Sequence, residues 1–272
     1  MAGATSAPDR PVQQLGAVAV VGGGCYGSYY LRQLARAARA GALRWRELLV
    51  VDRNAACAVA TNGLLDAAGW DVAPAPRLVV GEWSAFLADW LGRAASDPSA
   101  ADDDAVVPSP LMPHLLFGWL VARARARWPE RSVAIEPLER PPSTPWERAA
   151  PDGTHYVSFA EWMCPINCIE PALCPVIRGP RTWSMPVALR SYARAVRDEG
   201  RDVADPLVFH CTHRAYGVGM VDVADVLAAD RTVERLGAAE AFELLVGTVS
   251  HCHGAVNRLV VRRDARALPG RS

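Results

Sequence analysis

The sequence contains no lysine, and all 29 of its basic residues are arginine. This absence excludes Schiff-base chemistry, a pyridoxal phosphate anchor and the phosphate-binding lysine of Walker-type nucleotidases. An excess of either charge is missing as well, because 29 Asp and Glu residues balance the arginines. The composition therefore gives no reason to expect nucleic acid or an anionic membrane surface as a partner.

A long apolar run and a secretion signal are also missing. No window approaches the roughly 18 uninterrupted apolar residues that a membrane span requires. The first 15 residues are small and polar and include two prolines, unlike a secretion signal. We therefore expect a cytoplasmic protein. Because 51% of the residues are hydrophobic and 21% are charged, the chain is predicted to be globular.

Apolar, β-branched runs alternate with helical patterns in the first half of the chain. This alternation predicts an α/β fold, with a Rossmann-like parallel sheet followed by a smaller α+β region that carries a Cys-rich loop. The predicted elements include strands over residues 17–21, 47–52, 77–80, 105–107 and 132–135, and helices over 28–40, 84–95, 113–128, 186–198 and 223–236. We divide the chain into a tail (1–14), a dinucleotide-binding domain (15–136), a proline-rich linker (137–153), a Cys- and His-rich region (154–264) and a second tail (265–272).

The most specific motif is a glycine-rich turn, Gly22-x-Gly24-x-x-Gly27, between the first predicted strand and helix. In such a motif the first glycine permits a tight turn, the second lets a pyrophosphate approach the backbone, and the third lets the helix pack on the strand. The second predicted strand ends at Asp52, whose carboxylate can accept hydrogen bonds from ribose hydroxyls and favours NAD over NADP. Arg53 beside it would instead suit a 2′-phosphate.

In this order of strand, glycine turn, helix, strand and acid, the sequence resembles the Rossmann dinucleotide-binding superfamily. This superfamily includes TrkA-type nucleotide-binding domains and many dehydrogenases, and the resemblance covers about residues 15–135. It implies that a dinucleotide, with NAD as the leading ligand, contacts Gly22, Gly24, Cys25, Tyr26, Gly27, Asp52 and Arg53. A purely structural turn and a site for S-adenosylmethionine are the alternatives.

Cysteine and histidine are concentrated in the second half. Cys164, Cys168 and Cys174 fall within eleven residues of a proline-rich segment, where a rigid loop can direct several thiols inward. Their spacing departs from both the ferredoxin cluster motif and paired C-x2-C zinc knuckles. Four of the six histidines lie in two further clusters, at residues 210–213 and 251–253.

These three segments together predict a metal centre. An iron–sulfur cluster on the loop is the first choice, and zinc with mixed ligands is the second. A disulfide or ordinary core packing of the cysteines is the alternative. On a strand, His251 and His253 would face one side and Cys252 the other. The candidate ligands are Cys164, Cys168, Cys174, His210, Cys211, His251 and Cys252.

The function that combines these motifs is an NAD(H)-linked oxidoreductase or redox protein. Because lysine is absent, His213, His253 and Glu170 are the candidate catalytic groups for proton transfer. We expect a small-molecule substrate or a redox partner, and the nine tryptophans allow for the interface anchors of a homo-oligomer. The alternatives are a non-catalytic module that senses nucleotide or redox state, and an enzyme that handles metal or sulfur.

Overall fold

The protein is a mixed α/β structure in a computed structural model that describes residues 12–66, 69–160 and 164–263. Its first half contains β1 (Gln13–Val21), α1 (Cys25–Arg39), β2 (Leu43–Asp52), α2 (Ala58–Thr61), β3 (Arg77–Val80), α3 (Trp83–Ser96), β4 (Ala105–Val107) and α4 (Leu115–Arg127). The second half contains β5 (Arg131–Glu136), β6 (Trp146–Ala149), β7 (His155–Ser158), β8 (Leu173–Cys174), β9 (Gly179–Pro180), α5 (Met185–Asp198), β10 (Leu207–His210), β11 (Thr212–Ala215), β12 (Val218–Asp222), α6 (Val223–Leu236), β13 (Phe242–Val249) and β14 (His253–Arg263).

One sheet is built on the first four strands. Its order is β3-β2-β1-β4, and these four strands are parallel. Strand β12 pairs antiparallel with β4, and β11 pairs antiparallel with β12 at the edge of the sheet. Central strand β1 is buried from Leu15 to Val21, because helices and loops cover both faces of the sheet. This burial explains why the strand is a continuous apolar run rather than an alternating one.

The other sheet is mostly antiparallel. Its order is β10-β13-β14-β7-β6, and β5 pairs with the far end of β14. Only the pairing of β10 with β13 is parallel among the strand pairs that the structure describes in this sheet. Helix α5 packs against β13 through Leu189, which is almost fully buried.

The chain crosses between the two sheets. Strand β5 follows α4 but joins the second sheet, whereas β11 and β12, from the later half, join the first. A shared hydrophobic core lies between the sheets and includes Leu91 of α3, Leu120 of α4 and Val226 of α6. The segment at 137–153, which we predicted to be a linker, also supplies strand β6.

Most predicted elements are present, with shifted ends. The strands at 77–80 and 105–107 and the helix at 223–236 have the predicted bounds. Helix α1 begins at Cys25, three residues before the predicted start, because Gly24 already serves as its N-cap. The predicted tails lie mostly outside the described residues, although β1 already begins at Gln13. None of the helices in the described ranges is long and apolar enough to cross a membrane.

Candidate functional site

The three motif glycines lie between β1 and α1, and they differ in whether backbone conformation or packing requires glycine at the position. Gly22 has a φ of +92°, which only glycine adopts readily. A β-carbon on Gly27 would lie 2.0 Å from the carbonyl oxygen of Gly22, so the close packing of helix on strand requires glycine. Gly24 has a φ of −76°, and a β-carbon there would meet no described atom within 4 Å. Neither backbone conformation nor packing requires glycine at position 24.

The carboxylate of Asp52 joins the end of β2 to this turn. Its Oδ2 accepts a hydrogen bond from the backbone N–H of Gly23 (2.7 Å), and its Oδ1 accepts one from Asn54 (2.9 Å). An ionised carboxylate has about four acceptor positions, so acceptor capacity remains for a ligand. Arg53 lies over the ring of Trp83, 4.9 Å from its centroid, and 4.0 Å from Glu82. Cys25, at the start of α1, is an exposed free thiol.

A cavity of about 340 Å³ opens beside the turn, beyond the carboxyl ends of β1 and β4. Small-molecule sites usually occupy about 300 to 1,000 Å³. Segments from both halves of the chain line this cavity. The residues predicted from sequence that line it are Tyr26, Cys164, Cys168, Glu170, Cys174, Cys211, His213, Cys252 and His253.

The charge of Glu170 acts on the pKa values of four other residues of the cavity, namely Cys211, His213, Cys252 and His253. Glu170 is 9% exposed, and its φ of +52° is unusual for a residue other than glycine. Burial alone would raise the pKa of Glu170, but a hydrogen bond from Ser250, together with attraction to the neighbouring histidines when these are protonated, outweighs this effect and lowers it. The carboxylate is therefore ionised at neutral pH, although its Oε1 is buried without a hydrogen-bond partner among the described residues.

Two histidines face this carboxylate from different strands. Burial lowers the pKa of His213, on β11, and that of His253, on β14, and the charge of Glu170 only partly opposes the effect. Both imidazoles are therefore neutral at pH 7. The Nδ1 atom of each ring is buried and has no hydrogen-bond partner among the described residues.

The thiols of Cys211 and Cys252 are held in their protonated form. Burial and then the charge of Glu170 raise the pKa of Cys211 to about 12. Burial and then Glu170 and Cys168 likewise raise the pKa of Cys252 to about 12, although Trp183 and Arg181 oppose the shift. Without a cation in the cavity, neither thiol is a nucleophile at neutral pH.

The arrangement expected for residues 251–253 is wrong. Residues 250–252 form the connection between β13 and β14, and only His253 belongs to the strand. Strand alternation therefore does not apply, and Cys252 and His253 both line the cavity. The ring of His251 instead lies against that of His210, with centroids 4.6 Å apart, and its Nδ1 is 3.4 Å from Ser184 Oγ.

The five candidate cysteine ligands line one cavity, whereas His210 and His251 are not among its described lining residues, and the candidates are not in ligand geometry. Residues 12–66, 69–160 and 164–263 contain no group of three His, Cys, Asp or Glu side chains that could hold a metal ion as placed. Free thiols are present at Cys25, Cys57, Cys168, Cys174, Cys211 and Cys252.

Several residues of the cavity were not identified from the sequence. Tyr30 of α1, Arg148 of β6, Tyr156 of β7 and Ser250 all line it. Tyr30 lies one helical turn after Tyr26, so helical spacing could have identified it. Arg148 carries no local signal, because its position depends on the long-range pairing of β6 with β7.

The later part of the chain matches a known protein-family model. A family model described as "Uncharacterized protein, C-terminal domain" (AF_1314_C) matches residues 116–262, more than half of the chain. Searches of curated proteins and of solved structures found no match.

Proposed function

The chain belongs to the AF_1314_C family, and we propose that it is an NAD(H)-linked oxidoreductase. In this proposal the dinucleotide binds on the turn at residues 22–27, and the substrate reacts in the adjacent cavity lined by cysteine and histidine.

The observation that carries the proposal is that neither backbone conformation nor packing requires glycine at position 24. The fold itself requires Gly22, through its positive φ, and Gly27, through its contact with the Gly22 carbonyl. It does not require Gly24, whose missing side chain leaves open space at the exposed N-terminus of α1. A pyrophosphate that approaches the backbone needs this space. A ligand therefore accounts for the one glycine of the three-glycine motif that the protein's own backbone and packing do not require.

The surroundings of the turn support a dinucleotide. The parallel order β3-β2-β1-β4 is that of the first half of a Rossmann fold, with the glycine turn after its central strand. No side chain in the described part of the chain caps the N-terminus of helix α1, so its first N–H groups are available to phosphate oxygens. Asp52 lies where a ribose would bind, and its negative charge favours NAD, since Arg53 already interacts with Glu82.

The cavity offers the proton chemistry that accompanies hydride transfer. Tyr26 belongs to the glycine turn and also lines the cavity, so a ligand on the turn lies beside the cavity. Bound NAD⁺ would accept a hydride from a substrate carbon. A neutral imidazole of His213 or His253 can then take the proton of the substrate hydroxyl, and the Glu170 carboxylate stabilises the imidazolium that forms.

Calorimetric titration with NAD⁺ tests this function through Gly24→Ala. We expect the variant to bind NAD⁺ at least tenfold more weakly than the wild type, while its unfolding free energy falls by no more than about 1 kcal/mol. The matched control is Gly92→Ala in the middle of α3, where a β-carbon also meets no atom within 4 Å and binding should not change. A wild type that does not bind NAD⁺, or a Gly24→Ala variant that binds it equally well, would contradict the proposal.

A metal centre in the same cavity is the second candidate. The observation that favours it is the set of buried atoms without hydrogen-bond partners among the described residues, because such atoms usually have a ligand or water. In the cavity lining these atoms are Glu170 Oε1, His213 Nδ1 and His253 Nδ1. His210 Nε2 is also buried without such a partner, but His210 is not among the described lining residues. Neutral imidazoles are in the form that binds metal, and a cation would favour the thiolate forms of Cys211 and Cys252. Since no three donors among the described residues are in position as placed, binding by them would require side chains to rotate.

Anaerobic purification with elemental analysis and an absorption spectrum tests this candidate. An iron–sulfur cluster predicts iron and absorption at about 400 nm, whereas zinc predicts a colourless protein with stoichiometric metal. Cys168→Ser should reduce the metal content, whereas Cys25→Ser, at an exposed thiol outside the lining, should not. A wild type without stoichiometric metal would contradict a resident centre.

A further inference from the structure

We propose that the substrate carries an oxyanion group, a carboxylate or a phosphate, which Arg148 and Arg181 bind at the cavity. The identification of this anion as a substrate rests on the proposed function. The anion site itself depends only on the geometry of the two arginines.

The charges of the described residues around the cavity are not balanced. Among the residues that the structure describes, the lining contains one ionised carboxylate, that of Glu170, and two guanidinium groups, those of Arg148 and Arg181. Neither arginine forms an ion pair with any residue in the described part of the chain. Arg201 and Arg258, by contrast, each pair with Glu243. Arginine is always charged, so two unpaired guanidiniums at one cavity favour an anionic ligand.

Two hydrogen bonds hold Arg181 against the cysteine-rich loop at 164–174. Its backbone N–H donates to the carbonyl of Ala172 (2.8 Å), and its Nε donates to that of Pro171 (3.3 Å). The short ladder of β8 with β9 holds the two sides of this loop together. These bonds leave the terminal nitrogens of the guanidinium for a ligand, and its charge reaches Cys252 in the cavity.

Arg148 approaches from the second sheet on the same face as His253. It lies opposite Tyr156 across the β6–β7 pair, and Ser158, two residues further along β7, lies opposite His253 of β14. Directly paired residues and residues two apart project from one face of a sheet. Arg148 and His253 are offset by roughly 7 Å along the strands and by two strand spacings, roughly 10 Å, across the sheet, so their backbones are about 12 Å apart. The long arginine side chain covers part of this distance, and a small molecule can span the rest to the imidazole.

The two arginines and the two histidines thus have separate roles in the cavity, anion binding and proton transfer. Arg148 is exposed and Arg181 half-buried, whereas Glu170 is buried, so an anion is recognised nearer the solvent and the reacting carbon lies nearer the histidines. The volume of about 340 Å³ restricts the substrate to a small alcohol or carbonyl compound.

Calorimetry with two probes, oxalate and inorganic phosphate, tests the site with and without saturating NAD⁺. We expect the wild type to bind at least one of them, and Arg148→Gln and Arg181→Gln each to weaken that binding at least tenfold. The matched control is Arg178→Gln, three residues before Arg181, because Arg178 is exposed and does not belong to the cavity lining. The stronger probe identifies the oxyanion as carboxylate or phosphate.

Two results would overturn the proposal: a wild type that binds neither probe, and variants that bind the probe as well as the wild type does. If the two variants weaken NAD⁺ rather than the probes, the arginines bind the dinucleotide and the proposal also fails. If probe binding depends on the arginines but NAD⁺ does not bind at all, the anion site stands and the oxidoreductase function fails.

Discussion

At the scale of single residues, the glycine motif shows which predicted roles the structure explains and which it leaves as predictions. The sequence predicts three distinct roles for Gly22, Gly24 and Gly27. The structure gives physical causes for the first and third, namely a φ of +92° and a 2.0 Å approach to a carbonyl oxygen. The role of Gly24 stays a prediction, because its cause would be a ligand.

Gly27→Ala should destabilise the protein by about 1–3 kcal/mol, because an added methyl group must displace either helix α1 or the Gly22 carbonyl. Urea denaturation measures the difference. Gly92→Ala is again the control, and it should be neutral or stabilising by up to about 1 kcal/mol, since alanine favours a helix interior. Equal stabilities of Gly27→Ala and the wild type would show that the turn can relax.

Residue type alone identified much of the cavity, because clustered cysteines and histidines are rare enough to be conspicuous. The same reasoning could not identify Arg148, one of 29 arginines, in a proline-rich segment with no periodicity. Only the pairing of β6 with β7 brings it to the cavity.

At the scale of elements, periodicity predicts which segments are strands but not which sheet they join. The pattern at 132–135 correctly predicts β5, yet this strand pairs with β14, more than 120 residues later in the chain. The preceding parallel strands gave no indication of this. An ion-pair network reinforces the second sheet, with the buried Arg258 of β14 bonded to Glu243 of β13 at 2.7 Å.

Glu243→Gln should destabilise the protein at pH 7 by about 1–3 kcal/mol, because it leaves Arg258 and Arg201 with one acid fewer. Burial alone would raise the pKa of Glu243, but the hydrogen bond and charge of Arg258, with the charge of Arg201, outweigh burial and lower it. The stability from this carboxylate is thus complete above its unfolded pKa of about 4.3 and is lost as the pH falls through the lower folded value.

Urea denaturation at several pH values measures this dependence. The difference between wild type and Glu243→Gln should shrink steadily below about pH 4. Glu240→Gln is the control, since its pair with Arg263 is exposed and should contribute less than about 1 kcal/mol. A difference that is the same at pH 3 and pH 7 would show that the charge of Glu243 contributes nothing.

At the scale of the whole molecule, the cavity exists because the chain crosses between two sheets. The start of α1 and the segment that follows β4 supply part of its lining. The loop at 164–174, strands β6 and β7, and the ends of β11 and β14 supply further parts. The sequence predicted that these segments would meet. It could not predict that five thiols and the imidazoles of His213 and His253 would share a cavity in which the described residues form no ligand set as placed. The family match at residues 116–262 covers the cysteine and histidine segments, and the glycine turn precedes it.

Hydrogen–deuterium exchange of the wild-type protein with and without saturating NADH tests the central claim most directly. A dinucleotide on the turn beside the cavity predicts slower exchange of the backbone amides at residues 22–28 and in the loop at 164–174. Unchanged exchange in both segments at saturating NADH, or protection confined to other parts of the chain, would contradict it.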